Sequence, residues 1–319
     1  METINRRYIW LFFSILLAIM VGAYIFNTIN TPSLPKPYAP QADDSEQINS
    51  YFVVKDTLGA TILETGFPVH VDDQYINEHN VQYIVLKVDG LNAVADIASK
   101  KEASDNNSVG VSAMNLPYSK SSIPALSAPG THVGIYHTHT DESYVPTSGK
   151  ASQPGAGDVY TVGKVLGDAL QKSGVSVSHS TAAHDPHNIN AYHRSRKTVT
   201  QLLKEGPDAV FDIHRDSAPV SAYTASINGV AASRIMIVIG RSNPKMKTNL
   251  QYAKRVKAEA DSLYPGLMRG IYMGRGSYNQ DLYPTALLFE VGTESISLEL
   301  AERGVRLLSD VITRVLANS

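Results

Sequence analysis

The C-terminal part of the chain alternates between strand-like and helix-like segments, which limits the folds it can adopt. From Thr131 onward, short apolar runs such as HVGIYHTH, AVFDIH and ALLFEVG are separated by longer segments whose apolar residues recur at helical spacing. Gly174 is a plausible end for the first of these helices. Because alternating strands and helices form sheets covered by helices, residues 131–319 are predicted to be an α/β domain with a mostly parallel sheet.

A different pattern precedes this domain. Over residues 51–97, the segments YFVVKD, ATILETG and VQYIVLKVDG read as short strands joined by turns, which predicts a small β-rich module. Residues 98–130 are rich in Ser, Asn, Ala and Pro and are predicted to be a linker. Residues 31–50 contain four prolines and few large apolar groups, which is typical of a stiff, solvated spacer.

Residues 8–29 form a long apolar segment, and no charged residue occurs between Arg7 and Lys36. A helix needs about 20 apolar residues to cross a bilayer, whereas the apolar part of a cleaved signal peptide is about 7–15 residues long. Residues 1–30 are therefore predicted to contain a single transmembrane anchor. Arg6 and Arg7 precede it, so the rest of the chain is expected to lie outside the cytoplasm, at the cell membrane.

Composition excludes several classes of function. The chain has 28 Lys and Arg against 30 Asp and Glu, so it lacks the basic excess that nucleic-acid binding needs. It contains no Cys, which excludes a disulfide scaffold, a Cys-ligated zinc finger and an iron–sulfur cluster. Any metal must therefore be held by His, Asp and Glu, and the chain has 10 His.

Residues able to bind metals or transfer protons follow three of the predicted strands. In an open α/β sheet, ligands bind outside the carboxyl ends of the strands, so these residues converge if the strands are neighbours. A hydrolytic zinc site commonly takes two His and one Glu, and a second carboxylate acts as the base for the attacking water. The candidates are His137, His139, Glu142, Asp212, His214, Arg215, Asp216 and Glu290.

Each candidate also has a plain structural interpretation. His137 and His139 are two residues apart and are not both expected to bind the metal, so His139 is preferred and His137 becomes a supporting or core imidazole. Glu142 alone could be an exposed loop acid. Glu290 is harder to explain structurally, because an acid placed directly after the buried run ALLF is costly unless it is paired or functional. The other histidine-rich segment, HDPHNINAYH, favours a turn before a helix.

Several spaced motifs together resemble the stage II sporulation protein P family. They are KDTLGATILETGFPVHVDDQYI, HVGIYHTHTDESY, HDPHNINAYHRSRKTV, AVFDIHRDS and YNQDLYPTALLFEVGTES, and they extend from about residue 51 to the C-terminus. That family is similar to the zinc-dependent N-acetylmuramoyl-L-alanine amidases. The resemblance implies a peptidoglycan hydrolase that removes stem peptides from glycan strands, with a possible endopeptidase action on cross-links.

The resemblance also implies roles for individual residues. His139 and His214 correspond to the two zinc histidines of such amidases, and Glu290 corresponds to their catalytic glutamate. The usual ligand glutamate before the first long helix is missing, which leaves Glu142 and Asp158 as alternatives for the third ligand. Glu142 is preferred because His139-x-x-Glu142 has the spacing of zinc carboxypeptidases. Arg215 either stabilises substrate charge or pairs with Asp216.

The biological setting is likewise implied by the resemblance. Family members act in engulfment during endospore formation, at the septal membrane, with the sporulation proteins D and M as partners. Two other functions stay open at this point. One is a zinc carboxypeptidase that trims peptide ends, and the other is a non-catalytic envelope scaffold that binds glycan or partner proteins.

Overall fold

The computed structural model describes residues 46, 50–98 and 130–318. The predicted anchor at residues 8–29 lies outside the described residues, as do most of the spacer and most of the linker. Among the helices of the described residues, none is long and apolar enough to cross a membrane. This finding contradicts the single-pass membrane localisation predicted from the sequence, and that localisation is not retained.

The β-rich segment forms short strands whose buried side chains alternate with more accessible ones. The turn between the first two strands is closed by Asp56, whose Oδ1 accepts hydrogen bonds from the backbone N–H groups of Leu58 and Ala60 at 2.9 and 2.8 Å. A second turn uses Gly90, which has a φ of 57°. The strands are β1 (Phe52–Asp56), β2 (Thr61–Thr65), β3 (Gln74–Asn77), β4 (Gln82–Asp89) and β5 (Asn92–Ile97).

The rest of the described chain alternates between strands and helices, as the sequence predicted. Its strands are β6 (His132–Tyr136), β7 (Ser176–His179), β8 (Ala209–Asp216), β9 (Thr224–Ile227), β10 (Val230–Ser233), β11 (Ile235–Gly240), β12 (Met268–Gly274) and β13 (Ala286–Thr293). Its helices are α1 (Val145–Ser148), α2 (Val159–Lys172), α3 (Ala191–Leu203), α4 (Val220–Tyr223), α5 (Met246–Leu263) and α6 (Leu298–Ala317), with a 3₁₀ turn at Gln280–Leu282.

The main sheet of the described residues has eleven strands, in the order β2-β1-β5-β4-β3-β12-β11-β13-β8-β6-β7. The α/β class is confirmed, and the sheet as a whole is mixed rather than mostly parallel. Within residues 131–319, every pairing in this sheet except that of β11 with β13 is parallel. Strands β13, β8, β6 and β7 pair in parallel, whereas β13 is antiparallel to β11 and most pairings among β1–β5 are antiparallel. The reversal at β13 has a simple cause. The connection at residues 275–285 is too short for the crossover helix that a parallel return requires.

The two faces of the sheet are covered differently, and this decides where the site lies. Ile237 of β11 and Phe289 of β13 belong to the larger apolar core, which includes residues of α2, α5 and α6. Their neighbours Met236 and Leu288 belong to a second core, which includes residues of β1–β5. Because side chains alternate along a strand, Glu290 lies on the same face as Leu288, opposite the larger core.

Candidate metal centre

The first part of the site is the loop that follows β6. Every residue from 137 to 144 is buried, whereas most loops lie on the surface. Asp212 of β8 holds the start of this loop, because the backbone N–H and the hydroxyl of Thr138 donate to its two carboxylate oxygens at 2.8 and 2.6 Å. Further along, the backbone N–H of Arg215 donates to Glu142 Oε2 at 2.9 Å. These bonds place His139 and Glu142 against β8.

The second part of the site lies on two neighbouring parallel strands. His214 of β8 and Glu290 of β13 are register partners, and both side chains are fully buried. The strands continue beyond both residues, so His214 and Glu290 lie inside the strands rather than at the ends expected from the sequence. The register shifts just after Glu290, where Gly292 has a φ of 77°. Such irregularities are common next to functional sites.

Glu142 lies between the two histidines predicted to bind the metal. Its Oε1 is 3.4 Å from His139 Nδ1 and 3.5 Å from His214 Nδ1. Ligands bound to a tetrahedral zinc ion at about 2.0–2.1 Å are themselves about 3.3–3.4 Å apart, so the distance of Glu142 from each histidine suits such an ion. His139, Glu142 and His214 do not, however, form one group with all ligand atoms within 4.8 Å of one another. The other ring nitrogen of His214, Nε2, lies 2.9 Å from Asp212 Oδ1. A carboxylate in this position is what orients most metal-binding imidazoles.

Several buried polar atoms of this cluster make no hydrogen bond to any described residue. They are Nε2 of His139, both ring nitrogens of His214 and both carboxylate oxygens of Glu290. The contact between His214 and Asp212 has the distance of a hydrogen bond but not its angle. An unsatisfied buried polar group costs about 1–3 kcal/mol. Their concentration at one place therefore indicates a site that binds a charged group, and imidazole nitrogen with carboxylate oxygen is a donor set that suits zinc.

The charges of the cluster favour a cation. Burial would raise the pKa of Glu142, but His214 and His139 outweigh it and hold this pKa well below its usual range. Burial would lower the pKa of His139, but Glu46 and Glu142 outweigh it and raise this pKa to about 9. Burial raises the pKa of Glu290 well above its usual range, although the charge of His214 opposes the shift. The carboxylates of Glu46 and Glu142 thus stabilise positive charge at His139, which is the kind of charge that a bound cation would supply.

Potential metal ligands form two groups, and within each group all ligand atoms lie within 4.8 Å of one another. The first group contains Glu46, His139, Glu142 and His187, and the second contains Glu46, His214 and Glu290. The predicted site residues are therefore divided between the groups. Glu142 connects them, because its Oε1 faces both His139 and His214, and Glu46 belongs to both.

Glu46 and His187 were not among the predicted site residues. Glu46 Oε2 lies 3.1 Å from His139 Nδ1. The His187 ring stacks on the His139 ring with centroids 3.8 Å apart, and its Nδ1 lies 3.0 Å from Asp141 Oδ1. The only sequence signal for His187 was the histidine spacing of HDPHNINAYH, which favoured a turn. No motif or periodicity marks Glu46, which lies in the Pro-rich spacer.

Arg215 does not face the metal-binding atoms. Its guanidinium donates to the backbone carbonyls of Ser143, Ala151 and Asp216 at 3.3, 2.8 and 3.4 Å. The side chain is buried. Arg215 therefore fastens the loop that carries Glu142, and its contact with Asp216 is to the carbonyl rather than to the carboxylate.

Asp158 and His137, which were also candidates for the metal site, make their contacts elsewhere. Asp158 Oδ2 accepts hydrogen bonds from the backbone N–H of Tyr144 at 2.9 Å and from the Ser148 hydroxyl at 2.5 Å. His137 Nδ1 lies 2.9 Å from the Ile213 carbonyl, and its Nε2 lies 2.8 Å from His179 Nε2. Burial lowers the pKa of His137 to about 3, and His179 contributes to this shift. Both side chains are thus engaged in contacts that stabilise the loop and the sheet.

A family model and a curated relative match this chain. Residues 87–313 match the model of stage II sporulation protein P. Stage II sporulation protein P of Bacillus subtilis (strain 168) is 30% identical over 202 residues, which are 57% of this chain and 50% of the relative. The chain therefore spans about half the length of that relative.

Solved structures of amidases are more distantly similar. The N-acetylmuramyl-L-alanine amidase of Mycobacterium smegmatis has a TM-score of 0.39 and 14% identity, and covers 60% of this chain and 96% of its own. The N-acetylmuramoyl-L-alanine amidase of Clostridium difficile 630 has a TM-score of 0.39 and 16% identity, and covers 60% of this chain and 97% of its own. Similarity at this level carries no argument about the function of this chain.

Proposed function

This chain belongs to the stage II sporulation protein P family, and on that premise we propose that it is a zinc-dependent peptidoglycan hydrolase of sporulation. The bond that we propose it cleaves is the amide between N-acetylmuramic acid and L-Ala, with stem-peptide cross-links as a second target. The sporulation proteins D and M are its proposed partners in engulfment. Family membership supports the sporulation role, and the cluster around Glu142 supports the chemistry.

One observation carries the proposal. Glu142 Oε1 lies 3.4 Å from Nδ1 of His139 and 3.5 Å from Nδ1 of His214. The same buried site contains the carboxylate of Glu290, which has no hydrogen-bond partner among the described residues. We assign His139, Glu142 and His214 as the three metal ligands. These residues would hold a zinc ion, which when bound would supply Lewis acidity towards the amide carbonyl and the attacking water.

Glu290 is assigned as the general base. It neighbours His214 across the two parallel strands, and its carboxylate lies within 4.8 Å of ligand atoms of His214 and Glu46, so it is close enough to act beside the ligand set. In this role, an oxygen of Glu290 accepts the proton of the attacking water. The same proton then goes to the leaving nitrogen when the carbon–nitrogen bond breaks, so that Glu290 returns to its starting state.

The residues around this core position it. Asp212 holds the Thr138 backbone and lies behind His214, so it fixes the orientation of that imidazole. Arg215 fastens the loop through three backbone carbonyls and places its own backbone N–H on Glu142. We therefore assign Arg215 as a positioning residue that holds the loop, rather than as a substrate contact.

The ligand assignment is tested by metal analysis of the full-length protein. We expect Glu142→Ala, His139→Ala and His214→Ala each to lose most of the bound zinc, because a three-ligand site loses its geometry when one ligand is removed. Asp158→Ala is the matched control, since it removes a carboxylate from the same region but not from the cluster. An empty site in Asp158→Ala together with a full site in Glu142→Ala would contradict the assignment.

The reaction is tested by a digest of purified sacculi with the same protein. Release of intact stem peptides from glycan identifies an amidase, whereas loss of terminal amino acids from the peptides identifies a carboxypeptidase. Failure to release any product in the presence of zinc would contradict the proposed hydrolase and favour an envelope scaffold. Product masses distinguish these three outcomes.

A further inference from the structure

Glu46 reaches the candidate metal centre from a distant part of the sequence, 93 residues before His139. Its Oε2 lies 3.1 Å from Nδ1 of His139, which is the nitrogen that faces Glu142. Its Oε1 accepts a hydrogen bond from the Tyr192 hydroxyl at 2.6 Å. The side chain is only 9% exposed, so this carboxylate is enclosed by the site rather than resting on its rim.

The position of Glu46 relative to the other ligand atoms is central. Glu46 is the only residue that belongs to both groups of potential ligands found in the described chain, the one with His139 and the one with His214 and Glu290. It therefore lies where the His139 side of the site meets the Glu290 side. A substrate amide and a water molecule must enter this same space if Glu290 is to act on the water.

Tyr192 holds Glu46 in this position. The Tyr192 ring lies against both histidines, with centroid distances of 5.4 Å to His139 and 6.4 Å to His214. Its hydroxyl donates to Glu46 rather than to a ligand. Glu46 is thus held by the hydrogen bond from Tyr192 and by its contact with His139 Nδ1, and a competing ligand can replace the second of these.

Glu46 also lies outside the part of the chain that the family model matches, which begins at residue 87. The proposed ligands and the general base all lie inside residues 87–313. A catalytic zinc site needs three protein ligands and one exchangeable position. Glu46 supplies a further carboxylate oxygen, so the site has one more protein donor than hydrolysis needs.

We propose that Glu46 is an inhibitory ligand in cis: its carboxylate occupies the exchangeable position of the metal centre in the resting protein, and substrate must displace it. The proposal rests on the hydrolase function proposed above. Carboxylate oxygen is an ordinary ligand of zinc, so a bound Glu46 excludes the attacking water. The apparent affinity for any competing ligand is then the intrinsic affinity multiplied by the fraction of molecules in which Glu46 is displaced.

The test uses the full-length protein loaded with Co²⁺, whose visible absorption reports the ligands of the metal. Acetate serves as the probe, because it presents the same carboxylate as Glu46. We expect acetate to bind to the Glu46→Ala protein with an apparent Kd at least about tenfold lower than to the wild type, as for a site that Glu46 fills about nine-tenths of the time. Peptide release from sacculi at low substrate concentration should rise by about the same factor.

Two further variants control the measurement. Glu299→Gln neutralises an acid that is 71% exposed on α6 and pairs with Arg303, so its acetate affinity should equal that of the wild type. Tyr192→Phe removes the hydroxyl that holds Glu46 but leaves the carboxylate and the ring. It should give an acetate affinity between those of the wild type and Glu46→Ala.

The outcomes separate this proposal from the proposed function. Equal acetate affinity in the wild type and in Glu46→Ala, with Co²⁺ bound to both, would overturn the role of Glu46 and leave the hydrolase intact. A slower reaction in Glu46→Ala with metal retained would also overturn it and make Glu46 a contributor to catalysis. Tighter acetate binding without peptide release from either protein would support Glu46 and overturn the hydrolase. A wild type that binds no Co²⁺ would overturn both.

Discussion

Two buried charge clusters lie next to each other on β8, and they differ in how well their polar atoms are satisfied. In the first, Asp216 Oδ1 accepts from the Thr65 hydroxyl and from the backbone N–H groups of Gly66 and Ser217, at 3.1, 2.7 and 2.8 Å. Its Oδ2 accepts from the Tyr223 hydroxyl at 2.8 Å. Both carboxylate oxygens of Asp216 therefore accept hydrogen bonds.

The second cluster, around His214 and Glu290, is the opposite case. Neither oxygen of Glu290 makes a hydrogen bond to a described residue, and His214 makes none of good geometry. Both clusters are buried on the same sheet, so burial alone does not distinguish them. A structure that satisfies one carboxylate completely and leaves its neighbour unsatisfied indicates that the first is for stability and the second for chemistry.

The satisfied cluster also joins two parts of the fold. Asp216 lies on β8, whereas Thr65 and Gly66 lie at the end of β2. Arg269 of β12 lies beside the carboxylate, with its guanidinium 4.2 Å from the centre of the Tyr223 ring. Its Nη1 is 3.7 Å from Asp216 Oδ2 and makes an ion pair but no hydrogen bond within the described residues. The β-rich segment is therefore fastened directly to the strand that carries His214, which predicts that it supports the site mechanically.

The largest expected effect concerns activity at the unsatisfied cluster. Glu290→Gln should lower turnover by about 10²–10⁴-fold, the usual contribution of general acid–base catalysis. Gln is nearly isosteric and the ligand set is untouched, so bound zinc should stay at about one equivalent and the melting temperature should stay within about 3 °C of the wild type. Rate, zinc content and melting temperature are measured on one preparation.

The control variant for Glu290 is Glu299→Gln, which makes the same chemical change on an exposed face of α6. A ligand role for Glu290 predicts loss of zinc from Glu290→Gln. A purely structural role predicts a lower melting temperature with normal activity per folded molecule. Either result contradicts the assignment as general base.

The next effect concerns stability at the satisfied cluster. Asp216→Ala should lower the free energy of unfolding by about 3–5 kcal/mol, because it leaves Arg269 and several buried donors without their partner. Urea unfolding measures the change. Asp281→Asn, which affects a more exposed pair with Arg196, should cost no more than about 1 kcal/mol. Equal losses in the two variants would mean that the Asp216 cluster does not carry special stability.

Much of the fold follows from local patterns, and what was missed has physical reasons. Short apolar runs predicted β6, β8 and β13, and helical spacing predicted helices between them, because burial leaves a visible pattern in the sequence. Strand β12 was missed, because Arg269, Gly270 and Gly274 interrupt its apolar run MRGIYMG. Gly270 is needed there, since a Cβ at that position would lie 2.2 Å from the Ile76 carbonyl oxygen of β3. That constraint comes from a neighbouring strand and leaves no local signal.

The site could be predicted in part for a similar reason. His139, His214 and Glu290 stand out because polar groups directly after buried runs are costly without a role. The antiparallel pairing of β13 with β11 and the contact of Glu46 with His139 depend instead on distant parts of the chain. Glu46 lies among polar and Pro-rich residues, where an acid is expected in any solvated spacer. Only the three-dimensional structure places it on His139.

A smaller effect is expected from the residue behind His214. Asp212→Asn keeps the acceptor that faces His214 Nε2 and Thr138 but removes its negative charge. We expect zinc affinity to fall by about 10–100-fold, as is usual for partners that orient a metal-binding histidine. Competition with a chelator measures this change. Unchanged affinity would mean that Asp212 only holds the loop.

The smallest expected effect distinguishes the proposed ligands from a histidine that merely lies close to them. His187 stacks on His139 and bonds to Asp141, and its Nε2 has no hydrogen-bond partner among the described residues. If His139, Glu142 and His214 hold the metal, His187→Gln loses a stacking contact but no ligand, so zinc content should stay at one equivalent. Its affinity should then fall less than that of Asp212→Asn, by under about tenfold. The same chelator competition measures both variants, and His139→Ala is the reference for a lost ligand. A loss of zinc from His187→Gln as large as that from His139→Ala would assign His187 to the ligand set. The metal would then lie on the His139 side of Glu142, in the group of ligands that does not contain Glu290, which would count against the proposed proton transfer.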